Sequence, residues 1–145
     1  MTNSEKKLEK IKRTLIAISI GLFLFSLGKK CYCTTNQCAD SILVFLIGWL
    51  GLIFGGAALT WLANPFLIFT WILTNKNSKY ALATSFVASL LSLSFLLFDN
   101  VIDNEAGHYN KIISYQLGYW LWLSSSVTMF LGNLVLRFNI IRNFS

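Results

Sequence analysis

Residues 41–75 read SILVFLIGWLGLIFGGAALTWLANPFLIFTWILTN, thirty-five positions without one charged side chain. As a single α-helix this stretch would be about 52 Å long, against a bilayer hydrocarbon core of about 30 Å. It must therefore be interrupted. Asn64-Pro65 is the strongest breaker it contains, because proline lacks a backbone donor and pushes the residue before it away from α geometry. The expected division is one membrane span over 41–62, then an interfacial or kinked continuation over 65–75, too short to cross alone.

Three other apolar stretches flank this one. Residues 14–30, beginning TLIAISIGLFLFSLG, form a short first span whose end is extended by Lys29 and Lys30 reaching toward the headgroups. Residues 80–98 form a span of ordinary length, and 116–136 a fourth. Composition agrees with a bilayer environment. The chain is 55 % hydrophobic and only 12 % charged, where soluble domains carry about 25 % charge. A chain of 145 residues has too little polar side chain to cover a soluble surface. The fold class expected is an all-α bundle of four transmembrane helices with a proline-broken second segment.

The net charge of +6 does not mark a nucleic-acid binder, since no soluble module carries the basic residues on one face. They flank the apolar stretches instead. With four spans, the N-terminal segment 1–13, the 76–79 turn and the tail 137–145 share a side. That side holds nine basic residues and two acidic ones, Glu5 and Glu9. The other side holds Lys29, Lys30 and Lys111 with Asp40, Asp99, Asp103 and Glu105. The bias places both termini in the cytoplasm of a plasma (inner) membrane protein. A cleavable signal peptide is the alternative for the first stretch, opposed by its acidic residues and by the lysines at the would-be cleavage point.

Small residues recur at helical spacing. Gly48, Gly51 and Gly55 lie on the second stretch, Ser85 and Ser89 on the third, and Gly132 on the fourth. Such residues let membrane helices approach closely, within one bundle or between copies of a homo-oligomer.

Chemistry is sparse. No ionisable residue sits mid-membrane, which argues against a proton-coupled carrier. Cys31, Cys33 and Cys38 share the first outer loop, where an oxidising compartment favours a disulfide. Cys31 and Cys33 are poorly placed to bond each other, so Cys38 is the expected partner of one of them. His108 is the only histidine; it could join the cysteines in a zinc site, or share a helical face with Glu105 in the second outer loop. That loop otherwise reads as solvated and acidic. No catalytic residue, cofactor or metal is expected. The functional expectation is a non-enzymatic scaffold, complex subunit or immunity-type protein acting through lipid or protein contacts. A small oligomeric channel and a membrane thiol-redox or metal-binding protein are the alternatives.

Overall fold

The computed structural model describes residues 3–102 and 108–143. Helix α1 (Asn3–Leu27) leads into strands β1 (Lys30–Thr34) and β2 (Cys38–Asp40) and a short helix α2 (Ser41–Ile47). Two 3₁₀ segments follow, Gly48–Phe54 and Gly56–Leu62, the second running directly into α3 (Ala63–Lys76). Helix α4 (Ser78–Ser94) ends in a 3₁₀ turn, Phe95–Leu97, and strands β3 (Asn100–Ile102) and β4 (Tyr109–Tyr115) precede α5 (Leu117–Asn143). The protein is mostly helical, and three of its helices, Gly56–Lys76, Ser78–Leu97 and Leu117–Asn139, are long and apolar enough to cross a membrane. Helix α1 carries a shorter apolar half, residues 14–27, behind a basic N-terminal half.

The four long helices form an antiparallel bundle, α1 along α5 and α3 along α4, with α4 against α5. At one end Thr74 Oγ1 donates to Asn133 Oδ1 at 3.2 Å, beside the packing of Leu15 on Gly132. Toward the other end Tyr119 Oη donates to the Ser92 carbonyl at 3.0 Å. The N-terminus of α1, the Lys76–Ser78 turn and the C-terminal part of α5 therefore share one end of the bundle.

The other end carries a sheet, and the fold is not all-α. Two hairpins, one from each loop, join through β1 and β4 into an antiparallel sheet of order β2-β1-β4-β3. Tyr32 pairs with Tyr115, and Cys33 with Ser114. Residues 30–34 and 109–115 (KCYCT and YNKIISY) are rich in tyrosine, isoleucine and threonine, which favour strands. Read singly, each loop is too short to signal a sheet. Pairing the two lets each satisfy the other's backbone groups.

The second apolar stretch does not break at Asn64-Pro65. It reverses nine residues earlier, at Gly55-Gly56, where both residues have positive φ (69° and 60°). Gly55, with ψ −150°, occupies a region essentially closed to residues with a Cβ. Residues 48–54 and 56–62 lie against each other as a helical hairpin. A Cβ on Gly48 would stand 2.6 Å from Trp61 Cδ1, and one on Gly51 2.9 Å from Ala58 Cβ. These glycines thus close the hairpin on itself rather than contact a second helix, and Gly55 supplies its turn with no neighbour within 4 Å. Pro65 sits in the first turn of α3, where proline is tolerated. The Trp61 carbonyl, which an ordinary residue 65 would bond, accepts instead from Asn64 Nδ2 at 3.0 Å. Asn64 thus makes good the bond that Pro65 omits.

Polarity in the bundle is inverted. Ser19, Thr70, Thr74, Ser85, Ser89, Ser92, Ser125, Ser126 and Asn133 are buried, while Ile18, Leu24, Phe25, Phe69, Leu90, Leu131 and Val135 are exposed. The central contact is a reciprocal clasp between α1 and α5. Ser19 Oγ donates to the Ser125 carbonyl at 3.1 Å and Ser125 Oγ to the Ser19 carbonyl at 2.8 Å. Trp71 Nε1 adds a bond to Ser19 Oγ at 2.9 Å, which brings in α3. Phe23, Leu67, Ala88 and Met129 fill the space beside it.

Two glycines give opposite expectations. A Cβ at Gly118 would meet the backbone carbonyl oxygen of Lys30 at 2.5 Å, whereas one at Gly21 would have nothing within 4 Å. Thermal unfolding in detergent should show Gly118→Ala destabilised by about 1–3 kcal/mol, as overpacking typically costs. Gly21→Ala should be neutral or slightly stabilising. Equal effects would contradict the close seating of α5 under β1.

Candidate functional site

The hairpin of residues 41–62 and the sheet enclose a cavity of about 750 Å³. Its walls come from both edge strands, through Ala39 of β2 and Val101 of β3, and from the hairpin through Leu50, Phe54 and Trp61. The floor is made by Phe23 of α1, Asn64 of α3 and Trp122 of α5. Two hydrogen bonds hold this frame. Trp61 Nε1 donates to the Phe45 carbonyl at 2.9 Å, locking the hairpin's two arms. Trp122 Nε1 donates to Asn64 Oδ1 at 2.8 Å, fixing α3 on α5. Phe95 and Tyr119 of the lining stack with Tyr115 of β4, ring centroids 5.1–5.8 Å apart, a separation suited to tilted aromatic contacts.

The lining is mainly hydrocarbon. Among the described residues its one charged side chain is Asp40, whose carboxylate pairs with Lys30 Nζ at 2.8 Å across the β1–β2 ladder. Polar groups are few. Asn64 has both of its amide atoms engaged, and Thr60 Oγ1 donates to the Ala57 carbonyl at 2.7 Å. Ser41 differs. It is 7 % exposed, lines the cavity, and its hydroxyl makes no hydrogen bond of proper geometry. The nearby Cys31 thiol is close enough to feel that hydroxyl but is a weak hydrogen-bonding partner.

Of the three cysteines, Cys33 and Cys38 form a disulfide that closes the β1–β2 hairpin. Cys31 remains a free, buried thiol. Burial pushes its pKa up to about 11, only partly offset by the Ser41 hydroxyl. A thiol so protected is a poor nucleophile and a poor metal ligand, because both roles belong to the thiolate. With Cys33 and Cys38 bonded to each other, a three-cysteine zinc site with His108 is not assembled. No group of three metal-ligating side chains occurs among the described residues; Asp103 and Glu105 lie outside them.

Comparison of the chain with protein-family models, with curated proteins and with solved structures finds no match.

The cavity gathers Cys31, Cys38, Gly48, Gly51 and Asn64 from among the residues singled out in the sequence. Gly55 and Pro65 stand outside its lining, at the hairpin's turn and in the first turn of α3. Ser85, Ser89 and Gly132 lie in the bundle, Ser85 and Ser89 buried on α4 and Gly132 under Leu15. Ser41, Trp61 and Gly118 carry no signal in the sequence that separates them from ordinary positions of an apolar stretch. Their roles depend on the hairpin folding back, which only the Gly55-Gly56 pair announces.

The raised pKa of Cys31 has a measurable consequence. At pH 8 only about one thiol in a thousand would be ionised, against about one in ten for a free cysteine of pKa 9.0. Maleimide labelling of the folded protein should leave Cys31 almost untouched at pH 8 and accelerate toward pH 11. Because the folded state holds this proton more tightly than the unfolded state, the contribution to stability is full below about pH 9. It is lost as pH rises from about 9 to about 11. Rapid labelling of Cys31 at neutral pH would contradict its burial.

Proposed function

We propose that the chain is a four-span protein of the plasma membrane, with both termini cytoplasmic, that works without catalysis through lipid and protein contacts of its outer half. The inverted polarity of the bundle carries this reading. Fully buried serines, threonines and an asparagine face one another, while isoleucine, leucine and phenylalanine face outward. In water the arrangement would be reversed, since burying hydrocarbon drives soluble folding. In lipid it is favourable, because small polar residues allow close packing and hydrogen bonds between helices.

The arrangement of charge agrees. Lys6, Lys7, Lys10, Lys12 and Arg13 lie on the N-terminal part of α1, and Lys76 and Arg137 at the same end of the bundle, as expected of a cytoplasmic face. The fourth span in this reading is the apolar half of α1. Residues 41–54 do not cross; they enter the outer leaflet and return through the hairpin. The sheet then forms a rigid outer cap, tied by the Cys33–Cys38 disulfide, whose formation suits an oxidising compartment.

Thiol accessibility in intact cells tests the orientation. A membrane-impermeant maleimide should label Cys33 and Cys38 only after reduction. A cysteine introduced at Ser78, in a variant lacking the natural three, should label only once the cells are opened. Labelling at position 78 in intact cells would invert the topology and remove the case for a disulfide.

A further inference from the structure

We infer that the basic half of α1 is a binding face for anionic phospholipid headgroups of the cytoplasmic leaflet. The inference rests on the membrane reading above and adds to it a surface and a lipid class.

The basic residues are arranged on one side of the helix. At 3.6 residues per turn, Lys6, Lys7, Lys10 and Arg13 of α1 fall within about 120° of arc. All four are exposed. Their arc is centred opposite the stripe of Ser19, Phe23 and Ser26, which is buried in the bundle. Lys12 lies on the side of that stripe and is half-buried. Further along the same arc as the four cations stand Ala17, Leu24 and Phe25, all exposed. The helix runs from one set to the other without a break. Lipid chains lying along Ala17 and Phe25 therefore end at the cations. Lys10 and Arg13 fall within a headgroup layer about 5–8 Å deep, and Lys6 and Lys7 less than a Debye length of about 8 Å below it.

The positive-inside bias concerns only the number of basic residues and their side of the membrane. Clustering them on one outward face is an additional feature, and by itself an unfavourable one. Lys6 and Lys10 are four residues apart, and Lys10 is three from both Lys7 and Arg13, so like charges stand side by side, which destabilises a helix. The N-terminal end of a helix also disfavours cations. An anion seated among these residues turns their mutual repulsion into attraction. There is room for one. Lys6, Lys10 and Arg13 border, with Glu9 and Thr14, a recess of about 220 Å³. Three cations and one carboxylate give this recess a net charge of +2. Arg13 reaches Glu9 at 3.6 Å, an exposed pair of little energetic weight, and its guanidinium keeps further donors for a phosphate. A phospholipid meets both parts of the face, its headgroup at the cations and its chains at Ala17 and Phe25. A soluble polyanion would engage the charges alone.

Quenching by chain-brominated lipids in proteoliposomes of the full chain tests this. The reporter is a bimane on a cysteine introduced at Ala17. Cys33 and Cys38 are bonded to each other and Cys31 is buried, so the introduced thiol takes the label. The reference is the same label at Ala83, exposed on α4 four residues from Lys79, as Ala17 is from Arg13. Brominated phosphatidylglycerol is expected to associate at position 17 at least about five-fold more strongly than brominated phosphatidylcholine, the worth of one basic residue at an anionic surface. The preference should fall toward unity in about 1 M salt. It should also fall below about two-fold when Lys6→Gln, Lys7→Gln, Lys10→Gln and Arg13→Gln are combined. Lys12, Lys76, Lys79 and Arg137 remain in that variant to hold the orientation. Position 83 should show a smaller preference that the four substitutions leave unchanged. The salt response needs no change to the basic residues and stands even if the combined variant fails to fold.

Equal quenching by the two lipids at position 17 would overturn the face and leave the membrane reading intact. A preference that survives the four substitutions would overturn its assignment to these residues. Displacement of phosphatidylglycerol by an RNA oligonucleotide at physiological salt would give the face to a soluble polyanion instead. Absence of quenching by either lipid at both positions would overturn the membrane reading and this inference with it.

Discussion

The pairing of β1 with β4 is the constraint on which the outer half of the molecule depends. Two loops separated by some eighty residues of chain are joined there by main-chain hydrogen bonds, with Gln116 N–H also donating to the Cys31 carbonyl at 2.9 Å. That junction brings α5 up under β1, so that Gly118 touches the Lys30 carbonyl and Ser41. It also sets the two edge strands on either side of the hairpin of residues 41–62. Without it neither short hairpin would be stable, since isolated two-stranded units are marginal at best. The cavity would then lose two of its walls.

The second constraint is the polar interior of the bundle. The hydroxyls of Thr70, Thr74 and Ser85 bond back to carbonyls three or four residues earlier in their own helices, which keeps them satisfied without water. The Ser19–Ser125 clasp and the Thr74–Asn133 bond then cross between helices. Such bonds are individually modest in membranes, about 0.6 kcal/mol on average. Their value lies in register. Each links one position on one helix with one position on another, and together they fix α1, α3 and α5 along their lengths. The registered ends in turn place Asn64, Trp61 and Trp122 where the cavity needs its floor.

The helical part of the fold was legible in the sequence because it depends on long-range averages: the absence of charge between the terminal lysines of the stretches now seen as Gly56–Lys76 and Ser78–Leu97 and over most of α5. The interruption of residues 41–75 was legible from length alone, but its position was not. Proline carries the stronger local signal, yet the Asn64 side chain replaces the missing bond of Pro65 and the helix continues. Glycine at 55 and 56 leaves only a permission, which the fold uses. The sheet was hidden for a different reason: it is a property of two loops together, and neither contains a pattern that names its partner. The disulfide was half legible. Spacing pointed to Cys38, while the choice of Cys33 over Cys31 follows from the direct facing of Cys33 and Cys38 in the β1–β2 ladder. Ser41, whose buried hydroxyl faces the Cys31 thiol and Gly118, looked like the start of an apolar stretch.

Hydrogen–deuterium exchange of the full chain in lipid nanodiscs tests the central claim, that both outer loops form one sheet closed by a hairpin that turns at Gly55-Gly56. The account predicts slow exchange over residues 30–34 and 109–115 together, and loss of protection in both when Ser114→Pro, opposite Cys33 in the β1–β4 ladder, breaks that ladder while α3 and α4 stay protected. Fast exchange over 109–115 in the native protein, with the helices protected, would mean that the loops are separate and would contradict the structure described above.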